Sequence, residues 1–168
     1  MNNNSSSDKV NKIKPKVLFK LIEKKFPKSN NTISLNIPPS EIGGLTLLEH
    51  TLLVSIVKIT DPKFVFEFGT YLGATSFVLA ANSSKNTRIY TLDIPPNGIK
   101  VNANVNSQRG DIINDNFLRK QFTNYGAIYL KKADASIRGK VNQLFEDSTK
   151  MSVSNLGLEN KFDIIFID

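Results

Sequence analysis

The chain contains no cysteine. That removes disulfides, thiolate nucleophiles and zinc–thiolate sites, and it fits a reducing compartment. Histidine is almost as scarce. His50 is the only one, so a cluster of histidine ligands is excluded and a Ser-His-Asp triad would have to use that residue. No Asp or Ser context singles it out, and it reads as a structural or solvent-facing side chain. Long apolar runs are missing too. Stretches such as LLVSIV fall far short of the ~20 residues a membrane-crossing helix needs, and MNNNSSSDKV at the start has no apolar segment to serve as a signal peptide. These absences describe a soluble, cytoplasmic chain. Acidic charge is sparse at one end only. Residues 1–30 carry eight lysines against Asp8 and Glu23, whereas the other 138 residues carry 14 basic and 13 acidic groups. Of the net charge of +7, +6 therefore belongs to an N-terminal arm. A fold that gripped nucleic acid would carry its charge on the fold itself, so no specific nucleic-acid partner is expected.

What is present is an ordinary globular composition, 40% hydrophobic and 22% charged over 168 residues. A single domain of that size buries roughly 70% of the surface its unfolded chain exposes. Residues 1–9 read as a disordered, Asn/Ser-rich tail, 10–43 as a basic helix and loop, and 44–168 as the body. In KPKVLFKLIEKKFP, Val17, Leu18, Leu21 and Ile22 recur at helical spacing with lysines on the other face. Pro15 suits a first turn and Pro27 ends the pattern. Such a helix either packs on its own domain with a solvated lysine face, or touches a membrane or an acidic partner. LTLLEHTLLVSIVKIT is a second, strongly apolar helix. Beyond Asp61 strands and helices alternate. KFVFEFG reads as a buried strand, ATSFVLAAN as a helix, RIYTLDIPP as a strand stopped by Pro95-Pro96, DIINDNFLRKQF as a helix, and VNQLFEDS and KFDIIFID as two more strands. The alternation predicts parallel βαβ units in a doubly wound α/β sheet. The connection from Pro95 to Lys140 exceeds the usual length. Its polar stretch NGIKVNANVNSQRG reads as a lid or as a surface insertion.

Open α/β sheets bind ligands beyond the carboxyl ends of their strands. Glu67 with Gly69, then Asp93, Asp147 and Asp168, stand at four consecutive strand ends. Acids crowded on one rim call for a cationic or hydroxyl-rich ligand. In the turn, Gly69 and Gly73 let backbone come close to that ligand, and the following helix start offers free N–H groups. A Walker loop needs a Gly-Lys-Ser/Thr ending, which is absent. Tyr71 stands where a G-x-G-x-x-G turn has its second glycine, and bulk there argues against a pyrophosphate. Asp93 lies 26 residues beyond Glu67, a spacing suited to gripping ribose. A carboxylate only accepts hydrogen bonds, and a vicinal diol supplies two donors. Asp147, beside Ser148, can accept from an adenine amino group. A nucleoside with a positively charged tail fits these residues better than a dinucleotide.

E-x-G-x-x-x-G at 67–73, then YTLDIPP, QLFEDS and FDIIFID in that order, resemble class I S-adenosylmethionine-dependent methyltransferases. More narrowly they resemble the small-molecule O-methyltransferase-like branch, over about Gly44 to Asp168. The resemblance implies a Rossmann-like, mostly parallel sheet of strand order 3-2-1-4 with flanking helices. It implies that the family's C-terminal strands are missing, so a truncated, cofactor-binding part is expected, with an exposed fourth strand open to dimerisation or pairing. It implies S-adenosylmethionine as cofactor and a small-molecule acceptor, methylated on oxygen. By the same resemblance Glu67, Gly69 and Gly73 line the methionine part, and Thr70, Tyr71 and Leu72 contact it through backbone. Asp93 binds the ribose diol, Asp147 and Ser148 flank the adenine, and Asp168 is the catalytic acid under the transferring methyl. In catechol-type relatives the matching acid also ligates a divalent metal, which admits a metal at Asp168. Several positions also have a plain structural reading. Gly73 can serve close strand–helix packing, Asp93 can cap a turn before the prolines, and Asp147-Ser148 can cap the next helix. Two other functions stand beside this one: an NAD-dependent oxidoreductase, against which Tyr71 speaks, and a non-catalytic remnant or interaction module built on the basic arm.

Overall fold

The structure is a computed structural model that describes residues 12–25, 32–35, 43–95, 109–159 and 161–167. The expected tail 1–9, most of the expected lid and Asp168 lie outside the described residues. Four strands form one sheet: β1 (Phe64–Phe68), β2 (Arg88–Asp93), β3 (Val141–Phe145) and β4 (Ile164–Ile167). All pairings are parallel, and the order is β3-β2-β1-β4. This is the doubly wound, Rossmann-like arrangement. Helix α1 (Pro15–Lys25) and α2 (Leu47–Thr60) precede the sheet, and α3 (Ala74–Asn82) links β1 to β2. Between β2 and β3 run α4 (Arg109–Tyr125), α5 (Ile128–Lys132) and α6 (Ala135–Arg138).

The register sorts the strands into rows. Val65 lies opposite Ile89 and Ile164, and Ile89 opposite Val141. These side chains share one face, because alternate strand residues point the same way. Leu53 and Val57 of α2, Leu79 and Ala80 of α3 and Ile137 of α6 pack on that row to make the core. The next row on the same face is polar: Glu67 opposite Thr91, and Thr91 opposite Gln143. On the other face Phe66 packs 4.8 Å from Phe68 and 5.1 Å from Phe162, whose ring also meets Tyr90.

Long-range polar ties close the fold. The Asp163 carboxylate, just before β4, accepts the Lys63 and Phe64 backbone N–H groups at 2.7 and 2.9 Å. It thereby sets the start of β4 against the start of β1. Helix α3 has no basic residue in its own last turn. Lys140 supplies one from the loop before β3, donating to the Ala80 and Ser83 carbonyls at 2.7 and 2.9 Å. These acceptors are groups a helix end leaves unsatisfied, where a cation is favoured. Partial burial pulls the Lys140 pKa down.

The connection between β2 and β3 departs from expectation, since two further helices follow α4. Both α5 and α6 are too short, at five and four residues, for a periodic signal. They exist because Ala127, Leu130 and Ala133, in and beside α5, are buried against Phe77 and Val78 of α3, and Ile137 of α6 packs on the same cluster. Helix α1 also departs from its pattern: Leu18 and Ile22 are buried, while Val17 and Leu21 are exposed. No helix among the described residues is long and apolar enough to cross a membrane. Helix α2 opens on a capping box. The Thr46 N–H donates to Glu49 at 2.7 Å, and the Glu49 N–H to the Thr46 hydroxyl at 3.3 Å. Thr46→Ala is expected to lower stability by about 1 kcal/mol, read as a lower urea midpoint with unchanged slope, and Thr46→Ser to restore it.

Candidate functional site

Where β1 ends, the chain makes a tight turn: the Gly69 N–H donates to the Leu92 carbonyl at 2.9 Å and the Gly73 N–H to the Thr70 carbonyl at 2.7 Å. Gly73 has φ +79°, and a Cβ there would lie 2.8 Å from Leu130. Only glycine meets both demands. Tyr71 also has positive φ, at 45°, an uncommon conformation for a bulky residue. It is held there by Asp93, whose carboxylate accepts the Tyr71 N–H at 2.7 Å.

Asp93 ends β2 and also accepts the Ile94 N–H, on its other oxygen, at 2.7 Å. Burial pushes its carboxyl pKa up. Backbone N–H groups of Tyr71, Ile94 and Thr70, and the charge of Arg119, offset only part of that. Two carboxylate oxygens have about four acceptor sites between them. Acceptor capacity remains beyond these N–H groups.

Beside Asp93 opens a cleft of about 430 Å³, within the size range of small-molecule sites. Phe68, Leu92 and Ile167 give it apolar lining, and Gly69, Asp93, Ile94, Glu146 and Ser148 complete it. The structure thus brings Gly69, Asp93 and Ser148 together at the carboxyl ends of the strands.

Two of the acids expected on this rim sit elsewhere. Glu67 is fully buried within β1, on the face covered by α3. It accepts hydrogen bonds from the Ser76 hydroxyl of α3 and, at 2.6 Å, from the Thr91 hydroxyl of β2. Thr91 in turn pairs with the Thr70 hydroxyl at 2.7 Å. Glu67 therefore lies beneath the turn and is tied to it through Thr91 and Thr70. Asp147 turns onto its own loop. It accepts from the Thr149 N–H and hydroxyl at 3.0 and 2.7 Å and pairs with Lys150 at 3.3 Å. The Thr149 bonds lower its pKa. The cleft takes Glu146 and Ser148 on either side of it instead.

Two residues came unannounced. Glu146 is adjacent to Asp147, and only the geometry at the strand end decides which of them faces the cleft. Arg119 is carried by α4, which packs across the rim. Phe122 of α4 meets Phe145 with ring centroids 6.4 Å apart, and Leu118 fills the space at Gly43 beside Tyr71. His50 is buried in α2, its Nε2 without a partner among the described residues. Burial pulls its pKa down, against a backbone hydrogen bond with Thr46. No group of three or more His, Asp or Glu among the described residues is arranged to hold a metal ion.

No family model matches the chain, and no curated protein does. Solved structures do. The chain is similar to the O-methyltransferase TomG of Streptomyces achromogenes, which is involved in tomaymycin synthesis and crystallised with SAM. Identity is 16%, the TM-score is 0.49, and 93% of this chain and 54% of that chain are covered. A putative O-methyltransferase from Klebsiella pneumoniae is similar at 17% identity and a TM-score of 0.42, covering 94% and 54%. The O-methyltransferase of Bacillus cereus, in complex with SAH, gives 18%, 0.41, 93% and 55%. The chain spans about half the length of the solved chains it matches.

Removing the buried acceptor tests the tie beneath the turn. Glu67→Ala takes the partner from two buried hydroxyls, at about 1–3 kcal/mol for each bond left unmade. Urea unfolding is expected to show a loss of about 2–4 kcal/mol. Glu67→Gln keeps one acceptor oxygen and should lose less. Equal stability of the alanine variant and the parent would refute the tie.

Proposed function

We propose that this chain is the S-adenosylmethionine-binding part of a methyltransferase that acts on an oxygen of a small molecule. The observation that carries the reading is the Asp93 carboxylate, fixed by two backbone N–H groups on the wall of the cleft with acceptor capacity to spare. A ribose diol offers two donors that match it. Ser148 and Glu146, which line the same cleft, suit the amino group and ring edge of an adenine. Gly69 and the turn after it present backbone toward the amino-acid tail. Two acids on the walls favour a positively charged ligand over a pyrophosphate.

The cofactor would supply an electrophilic methyl group on sulfonium sulfur. The protein's part is positioning and electrostatics. Asp93 fixes the ribose and so the direction in which the methyl points. The acceptor oxygen must lose its proton to a base. Asp168, the next residue in sequence after β4, is the acid we assign to that task. A divalent metal at Asp168 would draw its other ligands from outside the described residues.

Titration calorimetry of the full chain with S-adenosylmethionine and with its demethylated product tests the reading. Saturable binding is expected. Asp93→Ala should weaken it by about 10- to 100-fold through loss of charge-assisted hydrogen bonds. No heat from a folded chain would end the proposal.

Acidity supplies a separate test. The diol binds the ionised carboxylate, so affinity is full above the raised Asp93 pKa and is lost as pH falls through it. The midpoint should lie above the ordinary aspartate range, and Asp93→Asn should flatten the profile. Folding stability carries the opposite sign. The fold favours the protonated carboxyl, so this group stabilises most in acid, and that contribution is lost as pH rises through the folded pKa.

A further inference from the structure

We infer that α1 docks the protein onto an anionic lipid surface, a role independent of the cleft. Residues 12–25 hold six lysines, Lys12, Lys14, Lys16, Lys20, Lys24 and Lys25, against Glu23 alone. Only Leu18 and Ile22 of α1 are buried, and the Lys25 amine donates to the Ile59 carbonyl at the end of α2. The helix is therefore anchored by one narrow stripe. Its remaining apolar side chains face outward: Val17 is 47% exposed, Leu21 44% and Phe19 39%, with Ile13 at 51% just before the helix.

The order of these side chains around the helix matters. Val17 and Leu21 are four apart and form one row. Lys16, Lys20 and Lys24 form the neighbouring row, with the same spacing. An apolar row beside a lysine row is the arrangement of a helix lying in a membrane interface. There the apolar side chains enter the acyl boundary, and the lysine stems reach up to the headgroups. Other occupants fit less well. A second copy would set one lysine row against another, with only Glu23 to offset them. A nucleic acid would satisfy the lysines and leave Val17 and Leu21 in water. A flat anionic lipid surface covers both rows while Leu18 and Ile22 stay packed on α2.

Co-sedimentation of the full chain with phosphatidylcholine vesicles, with and without phosphatidylserine, tests this. Binding is expected only with phosphatidylserine. It should disappear as salt rises from about 0.1 M to about 1 M and the screening length falls from about 10 Å to about 3 Å. Each lysine near an anionic surface is worth about fivefold. Replacing Lys16, Lys20 and Lys24 with Gln should therefore weaken binding about a hundredfold. The pair Val17→Ser and Leu21→Ser leaves the charge intact and should weaken it as well, which attraction of charge alone would not produce. All five side chains are exposed, so circular dichroism should report an unchanged fold. Absence of binding to phosphatidylserine vesicles overturns the inference, as does binding that ignores the serine pair. Binding to polyuridylic acid with none to vesicles would assign the helix to RNA and overturn it too.

Discussion

A carboxylate buried in the middle of a sheet is the constraint around which the cleft is built. Glu67 has no exposed surface, and taking such a group out of water is costly unless hydrogen bonds replace the solvent. The bonds that do so are shared among three elements. Ser76 brings α3 to the carboxylate, Thr91 brings β2, and Thr91 passes the connection on to Thr70 in the turn. The polar row therefore fixes the relative height of β1, β2 and α3 just below the rim, where an error of an ångström would matter to a ligand.

Asp93 does the same work from above. It holds Tyr71 in a left-handed conformation through one oxygen and the chain entering Ile94 through the other. The turn is thus clamped from below by threonine hydroxyls and from the side by a carboxylate that also faces the cleft. One residue holds the turn and lines the cleft together, and burial raises its pKa.

The sheet was legible because its strands are short, apolar and bounded by glycine, proline and acid. The order β3-β2-β1-β4 followed from the motif resemblance. Glu67 could have been placed better from the sequence. It stands two residues after Val65, so if Val65 faces the core helices Glu67 must do so too. Asp147 had a local competitor in Thr149, two residues on, the spacing at which Asp closes a turn on itself. Helices α5 and α6 were not legible, since their stability comes from Leu130 and Ile137 meeting the α3 cluster rather than from any periodicity of their own. The charge of Arg119 acts on Asp93 only because α4 carries it near, which no local pattern announces.

The placement of β1 between β2 and β4 has a bearing on how the protein is made. Its first neighbour, β2, is only a short helix away along the chain. Its second must come from the far side of α4, α5, α6 and β3, and the Asp163 carboxylate that sets the register is 99 residues beyond Phe64. At ribosomal rates of about 5–20 residues per second, the free edge of β1 waits roughly 5–20 seconds for its partner to be synthesised. Throughout that interval the nascent chain displays an aromatic, β-rich edge, and whatever shields it in the cell must act before translation has finished.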